Sequence, residues 1–219
     1  MKKISFIISI IFITSLFFGA ANANEGAADA DILSTSALHP GEMDWEFNGV
    51  FGRFDRQSVQ RGFQIYKEVC SACHSLKLVS YRNLADIGFG EDEIKQIASD
   101  YTVTDGPNDD GEMFDRPALP SDRFVLPYPN DKAAAAANGG AIPPDFSLIA
   151  KARHEGPDYI YSLITGYIDA PDGFPSVTGK YYNPYFEGRQ ISMPHQLPMM
   201  AKLNIRMALM QPKSKWQLT

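Results

Sequence analysis

Apolar positions along this chain recur at helical spacing. Val59, Phe63 and Tyr66 share one face behind Asp55 and Ser58, either of which can cap a helix N-terminus, and the run leads straight into Cys70. Glu91 to Ser99 predicts a second, shorter helix whose acidic first turn complements the macrodipole. Residues 101–131 are dense in Asp, Pro and Gly and read as loop. Lys132 to Asn138 is alanine-rich and helical, stopped by Gly139-Gly140 and Pro143-Pro144. Pro157 to Ile164 predicts a fourth helix, with proline in its first turn and Gly166 past its end. Residues 167–189 return to Gly, Pro and Tyr. No stretch alternates convincingly as a strand and no repeat is visible, so the expected class is mainly α with long ordered loops. Loops of this length need more than a continuous protein core to hold them, and a large buried cofactor is the natural candidate.

The first residues change the domain count. Lys2 and Lys3 precede an apolar run from Ile4 to Phe18, and Ala21-Asn22-Ala23 supplies a small-x-small cleavage pattern. Residues 1–23 therefore read as a secretory signal peptide, the run being short for a membrane span of about 20 residues. Residues 24–198 form one expected domain behind a polar lead-in. No later stretch is apolar for long enough to span a bilayer, so the mature chain is expected to lack a membrane anchor.

Composition excludes several classes. With 44% hydrophobic and 21% charged residues the chain is too apolar for a disordered protein, and a net charge of −6 argues against nucleic acid as a partner. The two cysteines exclude a multi-disulfide scaffold. An acidic surface would instead attract cationic partners.

Both cysteines fall in Cys70-Ser71-Ala72-Cys73-His74, a C-x-x-C-H motif. Thiols three residues apart can add to the two vinyl groups of one haem, and the histidine that follows can reach its iron. A thioredoxin-type pair would want a βαβ context, which is missing here. A zinc site would need two more ligands, yet His39, His154 and His195 cluster with no other cysteine. A disulfide between residues so close is geometrically awkward. One covalent haem c is therefore the expected cofactor, with His74 on its iron. A sixth ligand from methionine would raise the potential, because a thioether favours ferrous iron. Met113, Met193, Met199, Met200, Met207, Met210, His154 and His195 are the candidates, and spacing alone does not choose among them. The acids Asp100, Asp105, Asp109, Asp110, Glu112 and Asp115 are either a solvated loop or a patch that steers a basic electron-transfer partner.

Longer stretches carry a resemblance. Asp44 to Asp55, Arg61 to Val69 leading into the motif, Tyr81-Arg82-Asn83-Leu84 and Pro127-Tyr128-Pro129-Asn130 are similar to the cytochrome c1 family. So are Ala136 to Asp145, Ala152-Arg153-His154 with Tyr159 to Tyr167, and Tyr182 to Phe186 up to Met193-Pro194, in order over residues 38–198. The resemblance implies a cytochrome c-like haem domain on the periplasmic side of a bacterial inner membrane. It would belong to a ubiquinol:cytochrome c oxidoreductase, beside cytochrome b and a Rieske iron–sulfur protein, with a cytochrome c as electron acceptor. It carries the second iron ligand onto Met193 and places Asn138, Pro143 and Pro144 in the haem pocket. Arg153 and Tyr159 fall where the family binds a haem propionate, a charge-assisted bond plus a hydroxyl donor. A rival class is a sensing cytochrome with an open sixth position, and another is a thiol–disulfide enzyme without haem.

The resemblance stops short of the C-terminus. Residues 199–219 hold four of the eight methionines and the bases Lys202, Arg206, Lys213 and Lys215, but no acid. The family continues instead with an acidic segment, a further helix and a membrane anchor. Single-codon methionines and Trp216 constrain the alternative reading frames, one of which permits an acidic Asp-Gly-Thr-x-Ala-Thr-like sequence. The tail is therefore expected to be the product of a reading-frame error, poorly ordered and without the family's anchor.

Overall fold

Helix α1 (Arg56–Glu68) begins where the capping residues put it. The computed structural model describes residues 36–198. The Asp55 carboxylate accepts bonds from the Gln57 backbone N–H (3.2 Å) and the Ser58 hydroxyl (2.7 Å), so of the two candidates Asp55 is the cap. The expected signal peptide and the atypical tail at 199–219 lie outside the described residues.

After a 3₁₀ turn at Cys70–Ala72 and a 3₁₀ segment at Tyr81–Ile87, α2 covers Glu91–Ser99, as its sequence predicts. The Glu93 side chain reaches back to the Gly90 N–H at 2.7 Å and closes its first turn. The main core lies between these elements: Tyr66 of α1, Tyr81, Leu84, Ile94, Ala98, Ala118 and Phe124 are buried together. Tyr81 and Phe124 rings meet at 4.5 Å. The remaining helices are α3 (Asp131–Ala137), capped by Asn130, then α4 (Ile149–Ala152) and α5 (Pro157–Thr165).

Four short strands depart from the helix-and-loop expectation. Strands β1 (Thr102–Asp105) and β2 (Phe114–Pro117) pair antiparallel, with Thr102 opposite Pro117 and Asp105 opposite Phe114. Strands β3 (Tyr181–Tyr182) and β4 (Gln190–Ile191) pair the same way. The first hairpin escapes a hydrophobic reading because ions hold it. Arg116 reaches Asp105 at 2.5 Å and Asp122 at 2.7 Å, linking β1, β2 and the loop beyond. Even so, the architecture is mainly helix and ordered loop, and among the described residues no helix is long and apolar enough to cross a membrane.

Candidate haem-attachment site

The cysteines and histidine share one tight turn. The Cys70 carbonyl accepts both the Cys73 N–H (3.1 Å) and the His74 N–H (2.8 Å), and Ser71 hydroxyl donates to the Lys67 carbonyl at 2.8 Å. The turn is thereby welded to the end of α1. Tyr66 of the same helix donates its hydroxyl to the His74 carbonyl at 3.0 Å, fixing the histidine backbone.

The His74 ring is held from the other side by a distant loop. Its Nδ1 stands 2.8 Å from the Pro144 carbonyl, and the Phe146 ring stacks on it at 4.1 Å. A carbonyl only accepts, so this bond places the proton on Nδ1 and leaves the lone pair on Nε2. Burial keeps the imidazole below its ordinary pKa, although the Pro144 bond opposes this, so the ring is neutral at pH 7. A neutral, oriented imidazole with an available Nε2 is what an iron ligand requires, and the residues present fit a haem.

Asp145 holds that loop in place. Its carboxylate accepts from the Ser75 hydroxyl (2.7 Å), the Lys77 N–H (2.8 Å) and the Ser147 N–H (2.9 Å). Partial burial opposes its ionisation, but these donors more than offset it and bring the pKa down to about 2. Phe146 N–H adds a 2.8 Å bond to the Ser75 carbonyl.

Cys70 and Cys73 are not joined in a disulfide. Burial, with the neighbouring Cys73, pushes the Cys70 thiol up to about 11, opposite to the depressed pKa of a reactive pair. Among the described residues there is no cluster of three or more His, Cys, Asp or Glu. Tyr128 hydroxyl points at the Cys73 sulfur from 3.8 Å, and Asn138 Nδ2 donates to Tyr128 at 3.2 Å and to the Ala134 carbonyl at 2.7 Å. Asn138 thus joins the turn through Tyr128. Gly139 and Gly140 follow with φ of 61° and 89°, a left-handed pair that swings the chain from α3 towards Pro143 and Pro144.

Arg153 and Tyr159 come from α5 and the turn before it. They line a cavity of about 500 Å³ with His39, Tyr185 and Phe186. Burial raises the Tyr159 pKa, and the adjacent Arg153 guanidinium works against that rise. Met193 follows β4, and its carbonyl accepts a 2.8 Å bond from the Tyr167 hydroxyl. The two sides meet across a small apolar cluster, in which Ile65, Val69 and Cys70 pack with Ile164 and Leu197.

Residue patterns had given no role to Asp145, Phe146, Tyr128, Tyr167 or the fully buried Asn183. Only Asp145 carried a local signal, the Asx turn of an aspartate two residues before Ser147. The acidic run divides in two. Asp100 pairs with Lys67 at 3.1 Å, Asp105 with Arg116, and Asp115 accepts from Thr104 at 2.8 Å, whereas Asp109, Asp110 and Glu112 are exposed at the hairpin tip.

A mainly helical domain with paired thiols beside an oriented imidazole defines a class: this is a c-type cytochrome, with covalently bound haem. Residues 45–203 match the Cytochrome C1 family, to which the chain belongs. It is 48% identical over 195 residues to cytochrome c1 of Rhodospirillum rubrum, covering 82% of this chain and 68% of that protein. It is 51% identical over 160 residues to a mitochondrial cytochrome c1 haem protein of Arabidopsis thaliana, covering 73% of this chain and 52% of that one. A Candida albicans protein named as the mitochondrial cytochrome b-c1 complex catalytic subunit is 48% identical over 167 residues, with coverage of 76% and 58%. The chain thus spans between half and about two thirds of these relatives' length.

Proposed function

We propose that this chain is the electron carrier of a membrane-associated ubiquinol:cytochrome c oxidoreductase. It takes single electrons from a Rieske iron–sulfur protein, passes them to a cytochrome c, and performs no substrate chemistry of its own. The Candida relative's name supports the complex, in which cytochrome b is the other neighbour. The leader-like pattern of residues 1–23 supports the periplasmic side of a bacterial inner membrane.

One observation carries the reading: His74 offers Nε2 beside Cys70 and Cys73 because its Nδ1 is bonded to the Pro144 carbonyl. When bound, haem c supplies an iron that changes by one electron between ferric and ferrous states. In this reading Cys70 and Cys73 hold the group covalently, and His74 and Met193 ligate the iron. Asn138, Pro143 and Pro144 wall the pocket and exclude water, while Arg153 and Tyr159 bind a propionate. Substituting Met193→Leu in the haem-loaded protein tests this directly. The haem is expected to stay attached while the potential falls and the iron opens to small ligands. A low-spin spectrum with unchanged potential would remove Met193 from the ligand set.

A further inference from the structure

Strand β4 ends at Ile191, two residues before Met193, and the backbone there is restrained by a side chain. The Tyr167 hydroxyl donates to the Met193 carbonyl at 2.8 Å. Tyr167 follows α5 by two residues, and its place is inherited from the helix end. A Cβ on the intervening Gly166 would lie 2.4 Å from the Tyr185 ring and 2.5 Å from the Ser162 carbonyl, so the chain is closely confined at that point. The other face of Tyr167 stacks on His195, ring centroids 4.8 Å apart and planes 12° from parallel. His195 Nε2 is buried and has no hydrogen-bond partner among the described residues, so ring contact rather than a polar bond at Nε2 sets this side chain. Met193 thus sits between a hydroxyl on its own carbonyl and a ring on the residue two further along. The same helix supports the loop a second time, where the buried Asn183 donates to the Leu163 carbonyl at 2.7 Å.

We infer that Tyr167 is a positioning residue that clamps the Met193 backbone and so governs how firmly the methionine is presented as a ligand. The inference rests on the reading that Met193 ligates the iron. A clamped backbone has less conformational freedom to lose on ligation, so removing the clamp shifts the balance towards a detached methionine. A thioether favours ferrous iron, so a detached methionine also lowers the potential.

The test is Tyr167→Phe in the full haem-loaded protein, with the unsubstituted protein and Met193→Leu as the two ends of the scale. One net hydrogen bond corresponds to a roughly fivefold increase in carbon monoxide binding by the ferrous form, with a potential between those two ends. Haem staining on a denaturing gel is expected to be unchanged. If Met193→Leu opens the iron and Tyr167→Phe matches the unsubstituted protein, the clamp is overturned and the ligand reading stands. If neither variant differs from the unsubstituted protein, the ligand reading fails and takes the clamp with it. His195→Leu is the second variant, serving also if Tyr167→Phe does not retain haem. It keeps the hydroxyl and removes the stacked ring, so a smaller shift in the same sense is expected. No shift, or one as large as that of Met193→Leu, would overturn the clamp as described.

Discussion

Cys70, Cys73 and His74 occupy one turn at the end of α1, whereas Met193 follows a two-residue strand and its carbonyl is held by the Tyr167 hydroxyl from 26 residues upstream. The backbone of the first arrangement is held by bonds between near neighbours, namely Cys70 to His74, Ser71 to Lys67 and Tyr66 to His74, with the 143–147 loop bracing it from a distance. The second depends on long-range contacts, Tyr167 to Met193 and Asn183 to Leu163. Local bonds close small loops at little entropic cost, while each distant contact must offset the ordering of everything between its partners. The attachment side is therefore expected to survive loss of any one supporting contact. The Met193 side is expected to loosen when a single supporting group is removed.

The largest effect tests the attachment side at its centre. His74→Ala removes the oriented imidazole, and the haem-loaded protein is expected to lose its low-spin absorption spectrum. Retention of that spectrum would show that another group can replace His74.

Next comes Asn183→Ala, which removes a fully buried amide bonded to the Leu163 carbonyl and the Tyr185 N–H. Stranding those two groups is expected to cost about 3 kcal/mol in thermal unfolding of the loaded protein. The carbon monoxide binding that marks a loosened methionine should rise with it. A cost below about 0.5 kcal/mol would erase the contrast between the two sides.

Asp145 probes the distant loop that supports the attachment turn. Its carboxyl is depressed to about 2 in the folded protein, from 3.8, so its stabilising effect is complete above pH 4. That effect disappears as pH falls from about 4 to about 2, and after solvent screening it amounts to about 1 kcal/mol. Acid unfolding of Asp145→Asn should be flatter across that window than that of the unsubstituted protein. Parallel curves would mean that the carboxylate charge does not brace the loop.

The smallest effect concerns the hairpin tip, which belongs to neither side. If the exposed Asp109 and Asp110 steer a cationic cytochrome c, electron transfer should slow as salt shortens the Debye length from about 10 Å to about 3 Å. Asp109→Asn with Asp110→Asn should flatten that slope, and an unchanged slope would make the tip a plain solvated turn.

Short-range physics made much of this molecule legible in its residues. Asp55 caps α1, acids open α2, and Pro157 starts α5, because each acts through backbone groups within one helical turn. The C-x-x-C-H spacing names its cofactor for the same reason, since the chemistry lies within five consecutive residues. The β1–β2 hairpin was not legible, because four-residue strands carry little alternation and the ions joining them meet only after folding. Nor could spacing choose Met193 among six methionines and two histidines, a choice that needed the whole-family resemblance.

What the residues alone determined, then, is the helical framework and the attachment motif, both products of neighbours within a few positions. Tertiary structure alone decided which carbonyl receives the His74 proton and which hydroxyl restrains Met193. The Pro144 carbonyl is a backbone group with no side-chain signature, and its partner lies 70 residues away. The Tyr167 hydroxyl looks like any tyrosine's until the fold brings it to the Met193 carbonyl, 26 residues on. Such pairings follow from packing, which sums over the whole chain and leaves no periodicity to read.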